Sequence, residues 1–278
     1  MNKTEPHRSF RRTALPSLVC AALLLAGCAD TKKPSDAATS ASSGWRPLPL
    51  TQNGQVHPAW HQVGWGGFKA EDGLLVTAPD EKGLGMLTYT KEKFGDCQIR
   101  VVFKTSRAAA NAGVFVRLDD GILQRLDEKP EPASRDQTGQ LTPEGAKAMQ
   151  EASEKQLGPW YGVHHGYEIQ IADAGDPFHR TGAVYSLAPS SLTPSPNAPG
   201  TWRTMIITLD GNRIEVEVDG QRTTTFDPDS KDVPPRKVWH EPDRTPKRPA
   251  HGYIGLQNHD PGDIVHFKEV SVGPLPRR

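Results

Sequence analysis

What most constrains this chain is a succession of short stretches in which apolar and polar side chains alternate, each closed by turn residues. They run over 74–77, 86–90, 97–105, 113–118, 167–171, 182–187, 202–209, 213–218, 222–226, 253–257 and 264–272. Period-two alternation gives a β-strand one core face and one outer face. Glu71-Asp72-Gly73, Asp210-Gly211-Asn212 and Asp219-Gly220 separate neighbours with residues that accept tight-turn geometry. With 26 Gly and 25 Pro in 278 residues and almost no helical periodicity, the pattern predicts an all-β domain. Its natural form is two antiparallel sheets packed as a sandwich.

Two segments interrupt this rhythm. The stretch 119–162 holds one helix signal, over 142–156, opened by Thr142-Pro143-Glu144, where a capping hydroxyl precedes proline at the first helical position. So long an excursion between two strands reads as a lid or rim insertion. The second interruption, 228–249, is Pro-rich and charged, and reads as a surface loop carrying Trp239 and His240.

The 33 acidic and 33 basic residues balance, which removes the electrostatic footprint of a nucleic-acid binder and favours a small or neutral ligand. No internal repeat, coiled-coil heptad, phosphate-cradling glycine loop or Cys/His zinc spacing is present.

The N-terminus has the form of a secretory signal: Arg8, Arg11 and Arg12 precede an apolar run over 15–25 that is too short to span a bilayer. Leu25-Ala26-Gly27-Cys28 resembles a bacterial lipobox. The expectation is a signal peptide over 1–27, a lipid anchor to the membrane at Cys28, a flexible tether over 28–44 and a folded domain over 45–274. Ala29 after Cys28 points to the outer membrane rather than the inner, within the cell envelope. Of three cysteines only Cys97 lies in the folded part, so no disulfide is expected there, and its alternation with Ile99, Val101 and Phe103 marks it as a buried thiol.

Three strands carry side chains suited to chemistry. In Tyr167-Glu168-Ile169-Gln170-Ile171, Glu168 and Gln170 share the face opposite the apolar residues, and Asp173 follows. In Asn111-Ala112-Gly113-Val114-Phe115-Val116-Arg117, core-facing Val114 and Val116 place Phe115 and Arg117 on the other side. An aromatic plane and a fork of donors suit a carbohydrate groove. In Gly252-Tyr253-Ile254-Gly255-Leu256-Gln257-Asn258-His259, core-facing Ile254 and Leu256 leave Gln257 and His259 together, with a histidine able to move protons near neutral pH. Glu215, Glu217 and Asp219 also alternate, but on a clean hairpin, where such acids usually form a solvated face. Gly64-Trp65-Gly66-Gly67-Phe68 and the pair His164-His165 complete the candidates; neither has metal-site spacing alone, and the histidines read as rim residues first, with a metal or proton relay beside Glu168 as the alternative.

Taken in order, Asn111 to Arg117, Gly166 to Ile171, Thr181 to Tyr185, Trp202-Arg203, Val218-Asp219-Gly220 and Gly252 to His259 resemble the 3-keto-disaccharide hydrolase domain, loosely related to laminarinase-type glycosidases. The resemblance covers about 45–274, with Ala112, Arg203 and the long 119–162 insertion as departures. It implies a concanavalin-like jelly-roll whose concave face binds sugar, and cleavage of 3-keto-glycosides by proton abstraction at C2, elimination and rehydration. On that footing Glu168 or His259 would act as base and acid, with Arg117 stabilising the enolate oxygen. Asn111, Phe115, Gln170, Tyr185 and Gln257 would bind the sugar. A divalent cation could share the role of Arg117, with Glu168, Asp173 and His259 as candidate ligands. A sugar 3-dehydrogenase would supply the substrate. Two other readings stand beside this one: a non-catalytic carbohydrate-binding lipoprotein, and a two-carboxylate glycosidase using Glu215 and Glu217.

Overall fold

A computed structural model describes residues 44–192, 199–245 and 247–276. The expected signal peptide, the lipid site Cys28 and nearly all of the tether lie outside them. Within the described residues the strands form two large antiparallel sheets, as alternation predicts, and one two-stranded ribbon, Thr51–Gln52 with Gln55–Val56. The smaller sheet has the edge-to-edge order Tyr167–Ile171, Ala112–Leu118, Gly252–Asn258, Gly85–Phe94, Trp60–Gly64. The larger runs Gln221–Phe226, Arg213–Val218, Arg203–Asp210, Cys97–Thr105, Val265–Gly273, Leu74–Ala78, Gly67–Glu71, with Arg46–Pro47 paired beside Val265–Gly273. Their facing surfaces interdigitate: Val114, Val116, Ile169, Ile171, Ile254 and Leu256 from one side meet Ile99, Val101, Phe103, Met205, Ile207 and Phe267 from the other. Cys97 sits in this core, where burial pushes its thiol up to about 11 and leaves it inert.

The sequence did not disclose the strands Trp60–Gly64 and Gly67–Glu71. They belong to different sheets, and the Gly64-Trp65-Gly66-Gly67 run carries the chain between them. Gly64 and Gly66 take φ of +79° and +65°, and a Cβ on Gly66 would stand 2.5 Å from Asn258 Nδ2. That requirement, and not ligand binding, accounts for the glycines.

The expected strand at 182–187 is a series of turns, with Gly182 and Ser186 at positive φ. It lies along the free edge of Tyr167–Ile171 and satisfies it: Gln170 N–H donates to Ala183 O at 3.0 Å, Gly182 N–H to Gln170 O at 3.0 Å and Tyr185 N–H to Glu168 O at 2.9 Å. An edge strand thus becomes buried on every side, and Tyr185 is brought next to Glu168.

The outer face of the smaller sheet is roofed. The insertion contributes a 3₁₀ turn, Asp120–Arg125, and two helices, Pro143–Glu154 and Pro159–His165. The first helix is the expected one, its Thr142 hydroxyl accepting from Gly145 N–H at 3.0 Å. The second is too short for a periodic signal. A second apolar cluster forms where they land: Val63, Met86, Phe115 and Leu118 of the sheet against Ile122, Ala152, Trp160 and Val163 of the roof. Gly162 permits the contact, since a Cβ there would be 2.5 Å from Met86 Cε.

The loop around Trp239 is stapled to this roof through His164, which is almost wholly buried. Its Nδ1 accepts from Asp243 N–H at 3.1 Å, which places the ring proton on Nε2, 3.0 Å from Ser153 Oγ. Ser153 in turn donates to Trp239 O at 2.8 Å. His165 stacks flat on Tyr161 and pairs with Asp119 and Gln156, so both histidines are scaffold and neither reaches Glu168 as a relay.

Burial holds the His164 imidazole down to about 4, against the opposing pull of Asp243. The unfolded chain therefore takes up this proton first, and stability from the neutral ring is complete above pH 6.5 and drains as pH falls toward 4, by about 3 kcal/mol. Denaturant titrations across that window should show the loss in the wild type and a flatter profile in His164→Gln. Equal losses in both would contradict this role.

Candidate functional site

Alternation sends Tyr167, Ile169 and Ile171 into the inter-sheet core and leaves Glu168 and Gln170 on the roofed face. On the neighbouring strand Gly113 pairs with Gln170 and Phe115 with Glu168. A Cβ on Gly113 would fall 2.2 Å from Glu168 Oε1, so the absent side chain is what lets this carboxyl lie across the sheet. Gln170 Nε2 donates to Asn111 Oδ1 at 2.7 Å, and the Gln257 side chain hydrogen-bonds Glu168. The remaining carboxamide oxygens, Gln170 Oε1 and Gln257 Oε1, are buried without a protein partner. Two unmatched acceptors beside one carboxyl are a ready frame for hydroxyl donors.

These groups floor a cleft of about 290 Å³. Tyr185, His259 and Asp260 edge it, while the insertion supplies Leu141, Met149 and Trp160, the rest of the helix Pro159–His165 supplies Val163, and the 228–249 loop supplies Trp239 and His240. Of the residues expected at a site, Asn111, Glu168, Gln170, Tyr185, Gln257 and His259 do converge.

The electrostatics are unusual for so few charges. Burial pushes the Glu168 carboxyl up to about 8, with the charge of His259 and the bond from Gln257 pulling the other way. Burial would lower His259, but Asp260 and Asp263 outweigh it and hold the imidazole at about 9. Its Nδ1 is 3.3 Å from Asp260 Oδ2 and 3.5 Å from Asp263 Oδ2. At neutral pH the cleft therefore presents a neutral acid beside an imidazolium. Burial, followed by the charge of Glu168, raises the Tyr185 phenol above its ordinary value, and its Oη lies 3.0 Å from His240 Nδ1. Burial lowers His240, which favours its neutral ring.

Three expectations need correction. Phe115 faces the expected side, but the roof covers it completely, so it is core and offers no plane to a ligand. Arg117 leaves the alternation altogether. The pairing with Gly252–Asn258 slips at Tyr253/Gly255, Arg117 adopts φ +58°, and its side chain turns to Asp96 Oδ1 and Gly211 O, both at 3.1 Å. Asp173 is held by Arg203 Nη1 at 2.7 Å and by the Thr181 hydroxyl at 2.8 Å, away from the cleft. Glu168, Asp173 and His259 consequently do not form a ligand set. Among the described residues the donors that do converge are His259, Asp260 and Asp263. Arg135 pairs with Asp260 and Arg107 with Asp263, and both aspartates also hold the charge of His259, so three positive groups already share two carboxylates and this group does not fit a divalent cation.

Glu215 and Glu217 lie on the larger sheet, on the strand Arg213–Val218, where Glu215 is within ion-pair range of Arg213 and Arg222. They form a solvated face, which removes the two-carboxylate site. Sequence reasoning missed Met149, Trp160, Trp239, His240 and Asp260. The available signal was that the two segments breaking the strand rhythm each carry a tryptophan, a costly residue to leave on a loop with nothing to cover.

No curated protein compared with this chain is similar to it in sequence. Among solved structures it is similar to two candidate glycosyl hydrolases from Parabacteroides distasonis. One is 21% identical with a TM-score of 0.52, covering 83% of this chain and 99% of that one. The other is 17% identical with a TM-score of 0.55, covering 84% and 94%. These likenesses show the fold alone, the two-sheet jelly-roll sandwich. The sequence itself matches a family model over residues 44–273, the whole of the sandwich with its insertion, and the chain belongs to the 3-keto-alpha-glucoside-1,2-lyase-like domain family.

Proposed function

We propose that the chain cleaves glycosides oxidised at C3, by elimination across C1 and C2. The observation that carries this reading is the one buried carboxyl lining the cleft, Glu168, raised to about 8 beside an imidazolium. Ordinary glycoside hydrolysis uses two carboxyl groups flanking the bond. A 3-ketone removes that need, because it acidifies the hydrogen on C2 and asks only for one base and a stabiliser of negative charge.

The glycone lies on the floor, its hydroxyls donating to Gln170 Oε1 and Gln257 Oε1. Glu168 as carboxylate takes the C2 proton, and the electron pair moves onto the C3 oxygen. His259, kept charged by Asp260 and Asp263, stabilises that enolate in place of Arg117. The enolate collapses to the ketone, forms the C1–C2 double bond and breaks the bond from C1 to the departing oxygen, which takes the proton held by Glu168. Addition of water, hydroxyl to C1 and proton to C2, completes a hydrolysis; its omission makes the enzyme a lyase. The substrate itself must come from oxidation of a C3 hydroxyl, the class of step a sugar 3-dehydrogenase performs.

A second reading, a carbohydrate-binding module without turnover, shares the hydroxyl-accepting floor. A release assay on paired glycosides, one oxidised at C3 and one not, separates them. The enzyme releases aglycone from the oxidised member alone, and Glu168→Gln lowers turnover by at least about 10²-fold while still binding it. Absence of release by the wild type, with binding unchanged in Glu168→Gln, would establish the module instead.

The rate also carries a pH signature. Activity requires Glu168 ionised and His259 protonated, so kcat/KM should climb as pH rises toward about 8 and fall as it passes about 9. A profile that is flat, or that peaks below pH 6, would contradict these roles.

A further inference from the structure

The cleft has two chemically different walls. Most of its hydrogen-bonding side chains, Asn111, Glu168, Gln170, Tyr185, Gln257 and His259 with Asp260 beside it, stand on the sheet side, and His240 on the 228–249 loop is the exception. The roof side is made of Leu141, Met149, Trp160, Val163 and Trp239, with Leu84 at the sheet margin. Leu141 is 37% exposed and Met149 and Trp239 are half-buried, so this apolar surface is not consumed by the second core beneath it. The indoles of Trp160 and Trp239 meet at 5.4 Å and 57°, a tilted pair that sets a fixed edge to the wall. The staple through Ser153 and His164 anchors Trp239 by its backbone, so the wall is built before a ligand arrives.

From this division we infer that the enzyme is specific for 3-keto-glycosides whose aglycone is apolar, the sugar lying on the sheet and the aglycone against the roof. The inference rests on the reading of the floor as the glycone site. A group leaving C1 of a sugar held on the sheet side projects across the cleft toward the roof. A second sugar in that place could stack one face on an indole. Its rim hydroxyls would nevertheless lose water against Leu141, Met149 and Val163, which offer no donor and only the weakly accepting thioether of Met149. A hydrocarbon aglycone meets the same wall without that loss and buries apolar area instead.

Comparison of leaving groups by rate alone would confound polarity with leaving ability, so the test is binding to the trapped Glu168→Gln protein by calorimetry. Three 3-keto-glucosides with one anomeric configuration serve as probes: the methyl, the cyclohexylmethyl and the glucosyl glycoside. The cyclohexylmethyl compound should bind about tenfold or more tightly than either of the others, within the range that a few methylenes supply in an apolar pocket. Met149→Gln, in the Glu168→Gln background, should erase most of that preference. Equal affinities, a preference for the glucosyl compound, or a preference untouched by Met149→Gln would overturn the inference and leave the functional reading standing. Failure of all three probes to bind would bring down both.

Discussion

The desolvation of one carboxyl group is the interaction on which the rest of this structure depends. Glu168 stands on the edge strand of the smaller sheet, a position normally open to water on two sides. Turns at 182–188 close the strand edge, the insertion and the 228–249 loop close the face, and Gly113 leaves the space in which the side chain lies. Together these raise the carboxyl to about 8, where a proton can be both taken and returned near neutral pH. The opposite charge is treated differently. His259 is half-buried, and two aspartates keep it cationic, so the cleft sets a poised base beside a fixed positive charge.

Much of this was legible in the sequence wherever a short-range rule governs. Period-two alternation fixed which face of 167–171 and 253–257 meets the core, and Thr142-Pro143 marked the helix start, because both depend only on neighbouring residues. The failures share a different cause. Arg117 was misplaced by a bulge in its own strand, where Val116 and Arg117 together stand opposite Ile254, and Phe115 by a roof that arrives from residues 119–165. Trp239 and His240 enter the cleft through hydrogen bonds to a helix more than seventy residues away in the chain, a relation that periodicity does not encode. Asp173 looked available because its partner, Arg203, comes from the other sheet.

The same division explains why this fold can support the proposed chemistry without the usual pair of catalytic acids. The acids that do alternate, Glu215 and Glu217, sit on the larger sheet, and those near His259 are spent on holding its charge. A substrate that arrives already oxidised at C3 carries its own electron sink. What the protein adds is position, dryness and one proton acceptor.

The most direct measurement of that claim is the fate of the C2 hydrogen. When a 3-keto-glycoside protonated at C2 is turned over in deuterated water and the hydrated 3-keto sugar is recovered, elimination and rehydration place deuterium at C2, readable by NMR. Complete retention of the original C2 hydrogen alongside release of the aglycone would show direct displacement at C1 and contradict the role given to Glu168.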